Sequence, residues 1–212
     1  LMEISDFNTL QITKEDKKKG HMYVQQRKRA EFQKSATDLT EFLKSLKMTV
    51  TAKKASKFNI PRISQLTQKT NQFNMTTIRY TEEDIKKFSV DKNYLVFSVE
   101  VEDKFGDSGI TGAAIVKKGK DAWIIDTFLL SCRVIGRKVE ETLLAYIAKE
   151  ARKARAKKLK ADFIPTKKNS VAKDFYRNSG FKIVSADNRK EEYEYDISKN
   201  YKFPDFIKFV EK

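Results

Sequence analysis

One stretch constrains the fold of this chain more than any other: Trp123-Ile-Ile-Asp-Thr-Phe-Leu-Leu-Ser-Cys-Arg-Val-Ile-Gly-Arg-Lys-Val-Glu140. It begins with an apolar run typical of a buried strand, breaks at an Arg-x-x-Gly turn, and continues with a helical pattern. A helix that starts this way directs several backbone N–H groups forward and carries roughly half a positive charge at its N-terminus. The stretch therefore predicts an anion site, and we expect the anion to be the pyrophosphate of coenzyme A.

Length and composition restrict the class of protein. The 212 residues suffice for one domain plus an appendage. A run of about 18 apolar residues is absent, which argues against a membrane span. The first residue, Leu1, is not Met, so we expect a fragment of a longer protein. With one cysteine an internal disulfide is impossible, and this fits a cytoplasmic location. With one histidine besides, we expect no metal site. A Ser-His-Asp triad would have to use His21, far from any nucleophile motif.

The formal net charge of +15 calls for a partner or a physical reason. Nucleic acid, phosphate-rich cofactors and acidic proteins all satisfy such a charge. The cations are spread over the chain, and no helix-turn-helix, zinc-finger or RNA-binding signature accompanies them. Nucleic acid is therefore the least expected of the three partners, and charge alone does not choose between the other two.

The order of predicted elements follows from periodicity and capping signals. Residues 1–46 read as a polar helical linker with two start signals, Thr13-x-x-Asp16 and Asp38 with Glu41. The domain that follows, residues 47–212, reads as a strand, two helices, three antiparallel strands, a helix, a strand, a helix and two strands, with the tail as a short packed helix. The corresponding segments are 48–52, 59–70, 81–88, 94–102, 109–117, 122–130, 139–156, 159–165, 169–179, 181–184 and 191–197.

The helix predicted at 139–156 has an apolar stripe on one face and a strongly basic second half. Its cations suit the C-terminal end of a helix dipole, as a solvated outer face would. They would equally suit a docking patch for an acidic protein. Both interpretations remain open at this stage.

This order of elements, together with two local motifs, resembles that of a known protein family. The turn Arg133-Val-Ile-Gly136-Arg-Lys138 resembles the Arg/Gln-x-x-Gly-x-Gly/Ala motif of the GNAT (Gcn5-related N-acetyltransferase) family. About 30 residues later, Asn169-x-x-Ala-x-x-x-Tyr176-x-x-x-Gly180-Phe181 is similar to that family's Asn…Tyr…Gly-Phe ending. The resemblance implies an α/β (α+β) GNAT-like acyltransferase fold: a mixed, mostly antiparallel central sheet flanked by helices.

The resemblance also implies roles for individual residues. Acetyl-CoA, or the phosphopantetheine of a carrier protein, would bind at the turn and at the second motif, through Leu130, Arg133, Val134, Ile135, Gly136, Arg137, Lys138, Asn169 and Tyr176. Tyr176 would be catalytic, protonating the departing thiolate, although a packing role suits its sequence position equally. The chain departs from the family at Lys138, where Gly or Ala is preferred, and its long side chain could either crowd the pyrophosphate or bind it.

Further candidates come from the residues beside these motifs. Cys132 adjoins the turn and is either a nucleophile, because a helix N-terminus favours the thiolate, or a small buried filler. Asn71, Gln72 and Asn74 form an amide-rich loop that predicts contacts to an acceptor substrate, or else local turn hydrogen bonds. Asp126 lies in an apolar strand, so it is either paired or functional.

A narrower resemblance covers nearly the whole chain. The segments that look like the C-terminal half of FkbH-like proteins are Thr13-Lys-Glu-Asp16, Met22-Tyr23, Glu41-Phe-Leu-Lys-Ser-Leu46, Arg62 to Asn74, Arg79-Tyr-Thr81, Phe105-Gly-Asp107, Ser131 to Arg137 and Asn169. Such proteins join a haloacid-dehalogenase (HAD)-like domain to a GNAT-like domain, and some load a glyceryl unit onto an acyl carrier protein in polyketide pathways. The HAD-like Asp-x-Asp signature is missing here, so we expect residues 1–46 to connect to an upstream HAD-like domain.

Three functions follow as expectations. The first is an acyltransferase-type domain that handles an acyl or glyceryl thioester on coenzyme A or on acyl carrier protein. The second is a non-catalytic module that docks acyl carrier protein for the HAD-like half, and Lys138 and the lack of an obvious Glu or His base favour it. The third is a stand-alone N-acetyltransferase, against which the N-terminal 46 residues argue.

Overall fold

The computed structural model describes residues 19–35 and 38–212. Its helices are α1 (Lys19–Ser35), α2 (Leu39–Ser45), α3 (Ile60–Lys69), α4 (Glu82–Val90), α5 (Val139–Lys153) and α6 (Phe175–Asn178). Its strands are β1 (Thr49–Lys54), β2 (Phe73–Asn74), β3 (Tyr94–Asp103), β4 (Gly106–Lys117), β5 (Ala122–Leu130), β6 (Lys158–Phe163), β7 (Lys182–Ala186), β8 (Glu191–Asp196) and β9 (Lys208–Glu211). A 3-10 turn, Ser170–Ala172, precedes α6.

The strands form one mixed sheet in the order β7-β8-β6-β5-β4-β3-β1-β9, with β2 paired to β5 beside this path. Two of the pairings are parallel, β5 with β6 and β1 with β9, and the others are antiparallel. The parallel pair β5–β6 is connected through α5, as a parallel crossover requires. The predicted mixed and mostly antiparallel sheet flanked by helices is confirmed.

Alternation along the central strands supplies apolar side chains to both faces of the sheet. Ile115 and Leu129 pack in one cluster with Ile63 of α3 and Ile85 of α4. Their neighbours in sequence, which point the other way, pack in a larger cluster with α2 and α5: Ala114, Val116, Phe128 and Leu130. The sheet is therefore the middle layer of three, with helices on both faces.

Two helix starts form as their capping signals predict. Asp38 is the N-cap of α2, and its carboxylate accepts a hydrogen bond from the backbone N–H of Glu41 at 2.9 Å. Thr81 and Asp84 form a reciprocal capping box at the start of α4. The signal at Thr13 lies outside the described residues.

Three predicted elements differ in the structure. The helix expected over 169–179 is reduced to the 3-10 turn and the single turn α6, separated by Lys173 and Asp174. The tail, expected as a packed helix, forms β9 instead, because its backbone pairs in parallel with the edge strand β1. The amide-rich loop contains the short strand β2, which sequence periodicity cannot detect over two residues.

A buried ion pair fastens α1 to the sheet. The guanidinium of Arg29 donates to both carboxylate oxygens of Asp103, at 2.6 and 2.9 Å, and also to the carbonyl of Gly106. Phe32 of the same helix packs against Phe42 and Phe105. The described part of the predicted linker is thus helical and packs on the domain, whereas its connecting role and its boundary at residue 46 remain predictions.

Candidate functional site

The turn between β5 and α5 has the backbone of an anion-binding loop. Gly136 (φ 75°) and Lys138 (φ 65°) both adopt the left-handed region, and Lys138 is the N-cap residue of α5. Glycine adopts this region without steric cost, whereas a residue with a Cβ is strained there. The last motif position therefore keeps the conformation of a glycine although it carries a lysine.

An internal carboxylate lies at the start of α5. The carboxylate of Glu140 is largely buried, and its Oε2 has no hydrogen-bond partner among the described residues. Burial raises the pKa of Glu140, and the nearby Glu141 adds to the rise, while the backbone N–H groups of Glu140 and Gly136 and the side chain of Lys138 oppose it. A carboxylate thus lies at the helix start where the predicted pyrophosphate would bind.

The charged side chains of the turn are engaged within the protein. The ammonium of Lys138 forms an ion pair with Glu141 in the first turn of α5. Arg137 is buried, and its guanidinium lies 3.6 Å from Asp103. Burial lowers the pKa of Arg137 to about 10, and repulsion from Arg29 contributes to the fall. Arg137 is thus engaged inside the protein, whereas the side chain of Lys138 is 44% exposed in a surface ion pair and can still reach a cofactor.

The apolar residues predicted to bind cofactor belong to the core. Two of them, Leu130 and Val134, are fully buried, and the third, Ile135, is partly buried against the same cluster. Their side chains fix the position of the turn relative to the sheet. Contacts of Leu130 and Val134 with a cofactor would therefore come from their backbone atoms, whereas Ile135 keeps part of its side chain accessible.

A gap opens between β5 and β6, and β2 fills it. The pairing of β5 with β6 ends at Ile125, and beyond this point β2 pairs with the end of β5. Immediately after β2, the N–H of Met75 donates to the carbonyl of Phe128 at 3.1 Å. The carbonyl of Met75 accepts from the N–H of Ile164, just after β6, at 2.8 Å. One extended segment therefore bridges the two diverging strands.

The aromatic side chains behind this segment are closed off from solvent. Phe73 of β2 packs edge-on against Phe175, with ring centroids 5.3 Å apart. The neighbouring Tyr176 is fully buried, and its hydroxyl has no hydrogen-bond partner among the described residues. Burial raises the pKa of Tyr176 well above its ordinary value, with a contribution from Asp162. Tyr176 could act as the predicted acid only if the segment in front of it moved.

Two amides of the predicted site act inside the protein. Asn169 is fully buried; its Nδ2 donates to the carbonyls of Asn74 and Ile164 at 3.0 and 2.9 Å. Its Oδ1 accepts from the N–H of Thr166 at 2.7 Å. Asn74 is also buried, and its Nδ2 donates to the carbonyl of Thr70. These hydrogen bonds hold β2 and the loop after β6 together, and contacts of Asn169 and Asn74 with a ligand stay a prediction.

Other predicted residues line one open groove. It has a volume of about 440 Å³ and lies between α3, the chain that enters β2 and the turn that follows β5. We call it the thiol groove, and five predicted residues line it: Asn71, Gln72, Leu130, Cys132 and Arg133. The thiol of Cys132 is exposed, so the alternative that it is a small buried filler is wrong. Residues predicted for the thioester and residues predicted for the acceptor therefore meet in one cavity.

The part of the groove lining that α3 contributes was not predicted from the sequence. Arg62, Gln65 and Lys69 of α3 also line it. The guanidinium of Arg62 is fixed, because its Nε and Nη2 both donate to the carbonyl of Ile110 at 3.3 Å. A signal was present in the sequence, since positions 62, 65 and 69 follow the i, i+3, i+7 spacing of one helix face.

Arg79 orients the acceptor side of the groove. Its guanidinium donates to the carbonyls of Thr67 and Thr70 at the C-terminal end of α3, where a cation is favourable. The same guanidinium donates to Oδ1 of Asn71. The side-chain amide of Asn71 is therefore held in a defined orientation at the edge of the thiol groove.

Asp126 proves to be a paired residue. Its Oδ1 accepts hydrogen bonds from the hydroxyl of Tyr80 at 2.8 Å and from that of Thr127 at 2.9 Å. Burial raises the pKa of Tyr80, and the hydrogen bond to Asp126 raises it further. The carboxylate is accounted for by these contacts and does not line the thiol groove.

Residues 19–35 and 38–212 contain no group of three or more His, Cys, Asp or Glu side chains that could hold a metal ion. In the same part of the chain, no helix combines the length and the apolar character needed to cross a membrane.

The fold was then compared with known proteins. No protein-family model matches the chain, and neither does any curated protein sequence. Solved structures do match it. The GNAT domain of PAT from S. lividans superposes with a TM-score of 0.53 at 14% identity, over 68% of this chain and 89% of that one. The fold is that of the GNAT acetyltransferases.

Other GNAT-fold structures give the same result. A variant of the spermidine N-acetyltransferase SpeG from Vibrio cholerae matches with a TM-score of 0.54 at 14% identity, over 71% of this chain and 95% of that one. An acetyltransferase from Thermus thermophilus matches with a TM-score of 0.52 at 18% identity, over 70% and 97%. At such identities the likeness shows a shared fold alone. The chemistry of this GNAT-fold chain therefore has to be argued from its own residues.

Proposed function

We propose that this chain is a GNAT-like acyltransferase-type domain that handles an acyl or glyceryl thioester. The thioester would be carried by coenzyme A or by the phosphopantetheine of an acyl carrier protein, within an FkbH-like biosynthetic protein. One observation carries the proposal: the thiol groove brings the exposed Cys132 and the turn after β5 together with the amide-rich loop at Asn71 and Gln72. A thioester at the turn would then face an acceptor held by the loop.

The chemistry of the groove favours a covalent route. The described lining contains no Asp, Glu or His that could serve as a general base. The thiolate of Cys132 would attack the thioester carbonyl, and the pantetheine sulfur would leave as a thiolate and take up a proton. The acceptor would then attack the acyl group on Cys132 and regenerate the thiol. Arg133, next to Cys132, would stabilise the negative charge that develops during both steps.

A non-catalytic docking module for acyl carrier protein is the second candidate, and three observations favour it. The segment 73–75 fills the gap beside Tyr176, and the largely buried carboxylate of Glu140 lies at the start of α5, where a pyrophosphate would bind. The net charge of +15 suits an acidic carrier protein. A stand-alone N-acetyltransferase has the same fold and would differ in its acceptor, a small amine.

Calorimetry and turnover together separate these candidates. The wild-type chain, Cys132→Ser, Tyr176→Phe and Lys138→Gly would be titrated with coenzyme A and with phosphopantetheinylated carrier protein, and thiol release from acetyl-CoA would be followed. The covalent route predicts that Cys132→Ser still binds but releases no thiol, whereas Tyr176→Phe keeps its activity. Carrier-protein binding that weakens with salt, with no thiol release by any variant, would support the docking module instead.

The variants Tyr176→Phe and Lys138→Gly test two further predictions. Loss of turnover in Tyr176→Phe alone would show that β2 moves and that Tyr176 is the acid. Tighter cofactor binding by Lys138→Gly would show that the lysine side chain crowds the pyrophosphate. Absence of binding to either pantetheine ligand would refute both the acyltransferase and the docking module.

A further inference from the structure

One side chain of the turn after β5 is held from two directions. The guanidinium of Arg137 lies 3.6 Å from a carboxylate oxygen of Asp103, at the end of β3. Its Nη2 donates to Oε1 of Gln26 in helix α1 at 3.3 Å. The carboxylate of Asp103 is fully buried, and the side chain of Arg137 is 11% exposed. The turn is therefore fastened both to the sheet and to α1.

Helix α1 is held by the same carboxylate. Within residues 23–34 of this helix, Arg29 is the one buried side chain, and it donates to both oxygens of Asp103. The helix also approaches the hairpin between β3 and β4 so closely that a Cβ on Gly106 would overlap with the side-chain amide of Gln25. One buried carboxylate therefore ties α1 to the sheet and to the turn.

The backbone on either side of Arg137 needs such support. Gly136 and Lys138 are both in the left-handed region, with φ 75° and 65°. A residue with a Cβ is strained there and keeps this conformation only where its surroundings hold it. On the helix side, the carbonyl of Lys138 accepts from the N–H and the hydroxyl of Thr142 at 3.0 and 2.8 Å. On the other side, the hold comes from the guanidinium of Arg137.

We propose that Gln26 and Arg29 of α1 are positioning residues of the cofactor site, which act through Arg137 to keep the turn after β5 in its anion-binding conformation. This inference rests on the proposed function for the identity of the anion, the pyrophosphate of coenzyme A. It adds to the site a helix that does not line the thiol groove. The affinity for coenzyme A then depends on the docking of α1, because an undocked helix withdraws Gln26 and Arg137 is no longer held on that side.

The variant Gln26→Met tests this link without a change in charge. Gln26 is half-buried, and methionine has nearly the same length but is only a weak acceptor. We expect calorimetry to show about fivefold weaker binding of coenzyme A, at the lower end of common couplings between sites. Gln33→Met, the same change at an exposed position of α1, should bind coenzyme A as the wild-type chain does.

A double variant shows whether Gln26 acts through Arg137. Arg137→Met leaves no unpaired buried charge, because Asp103 keeps its two hydrogen bonds from Arg29. In this background, Gln26→Met should cause no further loss of affinity, since the side chain through which it acts is gone. A purely structural role of Gln26 would not depend on Arg137 in this way.

The variant Arg29→Met tests the docking of α1 itself and should weaken coenzyme A binding roughly tenfold. Arg27→Met removes an equal charge from an exposed ion pair with Glu31 on the same helix and should leave the affinity unchanged. Ile85→Ala controls for lost stability, because it opens a buried cluster that includes no residue of the turn. It should lower the free energy of unfolding without changing the affinity of the folded chain.

Hydrogen exchange tests the same link without any ligand. The N–H groups of Val134 and Arg137 form hydrogen bonds inside the turn, to the carbonyls of Ser131 and Val134. Both should exchange severalfold faster in Gln26→Met and in Arg29→Met than in the wild-type chain, while the amides of β5 keep their rates.

The two proposals fail in different ways. Faster exchange in the turn, with no binding of coenzyme A to any chain, would refute the cofactor site and leave the coupling to α1 in place. Unchanged exchange in the turn, or wild-type affinity in both Gln26→Met and Arg29→Met, would overturn the coupling while the proposed function stands. A loss of affinity on Gln26→Met that is equally large in the Arg137→Met background would also overturn it.

Discussion

Tyr176 gives the sharpest prediction at the scale of single residues. Its hydroxyl is fully buried and has no partner among the described residues. Such a group loses its hydrogen bond to water on folding without a replacement. We therefore expect Tyr176→Phe to leave the free energy of unfolding unchanged or to raise it by about 1 kcal/mol, measured by urea denaturation. A loss above about 1 kcal/mol would show that the hydroxyl has a partner, such as a buried water.

Glu140 gives a pH-dependent prediction. Because burial raises its pKa above the ordinary 4.5, the native state binds the proton more tightly than the unfolded state does. Its ionisation therefore costs stability as the pH rises above about 4.5 and through the raised folded pKa. Glu140→Gln should gain stability relative to the wild type over that window, and the difference should vanish at lower pH. Parallel urea denaturations from pH 4 to pH 8 would measure it.

Glu141→Gln is the matched control for this experiment. Glu141 is a partly exposed residue of the same helix turn, ion-paired with Lys138. Its replacement should not produce the same relative gain with rising pH. Glu140→Gln should also bind coenzyme A severalfold more tightly, because the glutamine carries no negative charge that would repel the pyrophosphate. An unchanged stability difference across the pH range would show that Glu140 is not buried as a charge.

The sequence predicts the role of a residue only where that role does not depend on whether the side chain is exposed or buried. Cys132, Asn71, Gln72 and Arg133 were predicted for the site and do line one groove. The side chains of α3 that line the groove were not predicted, because the helix face that they share is directed at a loop that is distant in sequence. Asn169 and Tyr176 were assigned through the resemblance, but a sequence pattern carries no information on whether a side chain points into a cavity or into the core.

The segment formed by β2 is the element that decides access to the site. Asn169 holds it by donating to the carbonyls of Asn74 and Ile164. We expect Asn169→Ala to lower the free energy of unfolding by about 2–3 kcal/mol, because two buried carbonyls lose their donor. Hydrogen exchange should rise most at Met75 and Ile164, whose N–H groups close the gap. The control Asn178→Ala removes an exposed amide and should change stability by less than about 0.5 kcal/mol.

A different result would assign Asn169 to the ligand. If Asn169→Ala kept full stability but lost affinity for coenzyme A, the side chain would be a cofactor contact, as the resemblance implies. From the structure we expect the opposite result: the main effect of Asn169→Ala is a lower free energy of unfolding, not a lower affinity for coenzyme A. Affinity measured by calorimetry on the folded variant separates the two cases.

Helix α1 depends on one buried ion pair. Asp103→Asn would leave the guanidiniums of Arg29 and Arg137 close together without their carboxylate, so we expect a loss of about 3–5 kcal/mol. Arg29→Met should cost less, because Arg137 still faces Asp103. The control Arg27→Met breaks the exposed pair with Glu31 on the same helix and should cost less than about 1 kcal/mol. Equal effects of Arg29→Met and Arg27→Met would show that α1 is not docked as described.

At the scale of elements, the sequence predicts what local signals encode. Capping residues and period-2 alternation locate α2, α4 and the central strands. The position of β9 depends on pairing with β1, about 160 positions earlier in the chain, and no local pattern carries that information. The two residues of β2 are too few for any periodicity. The helix predicted at 169–179 is interrupted at Lys173 and Asp174, which form a turn between the 3-10 turn and α6.

For the whole molecule, the order of elements and two spaced motifs were sufficient to predict a GNAT-like fold, and matches to solved GNAT structures confirm the fold. The net charge was not sufficient to predict a partner. Many lysines of the basic half of α5 and of β6 form ion pairs in the structure, including Lys149 with Glu211 and Lys158 with Glu194.

We expect a thioester to transfer its acyl group to Cys132 in the thiol groove. This step is measured by the intact mass of the whole chain after it is mixed with acetyl-CoA and quenched in acid, followed by peptide mapping. We expect one acetyl group on Cys132 in the wild-type chain and none in Cys132→Ser. A chain that binds coenzyme A in calorimetry yet never acquires an acetyl group on Cys132, at any time before or during turnover, would contradict it.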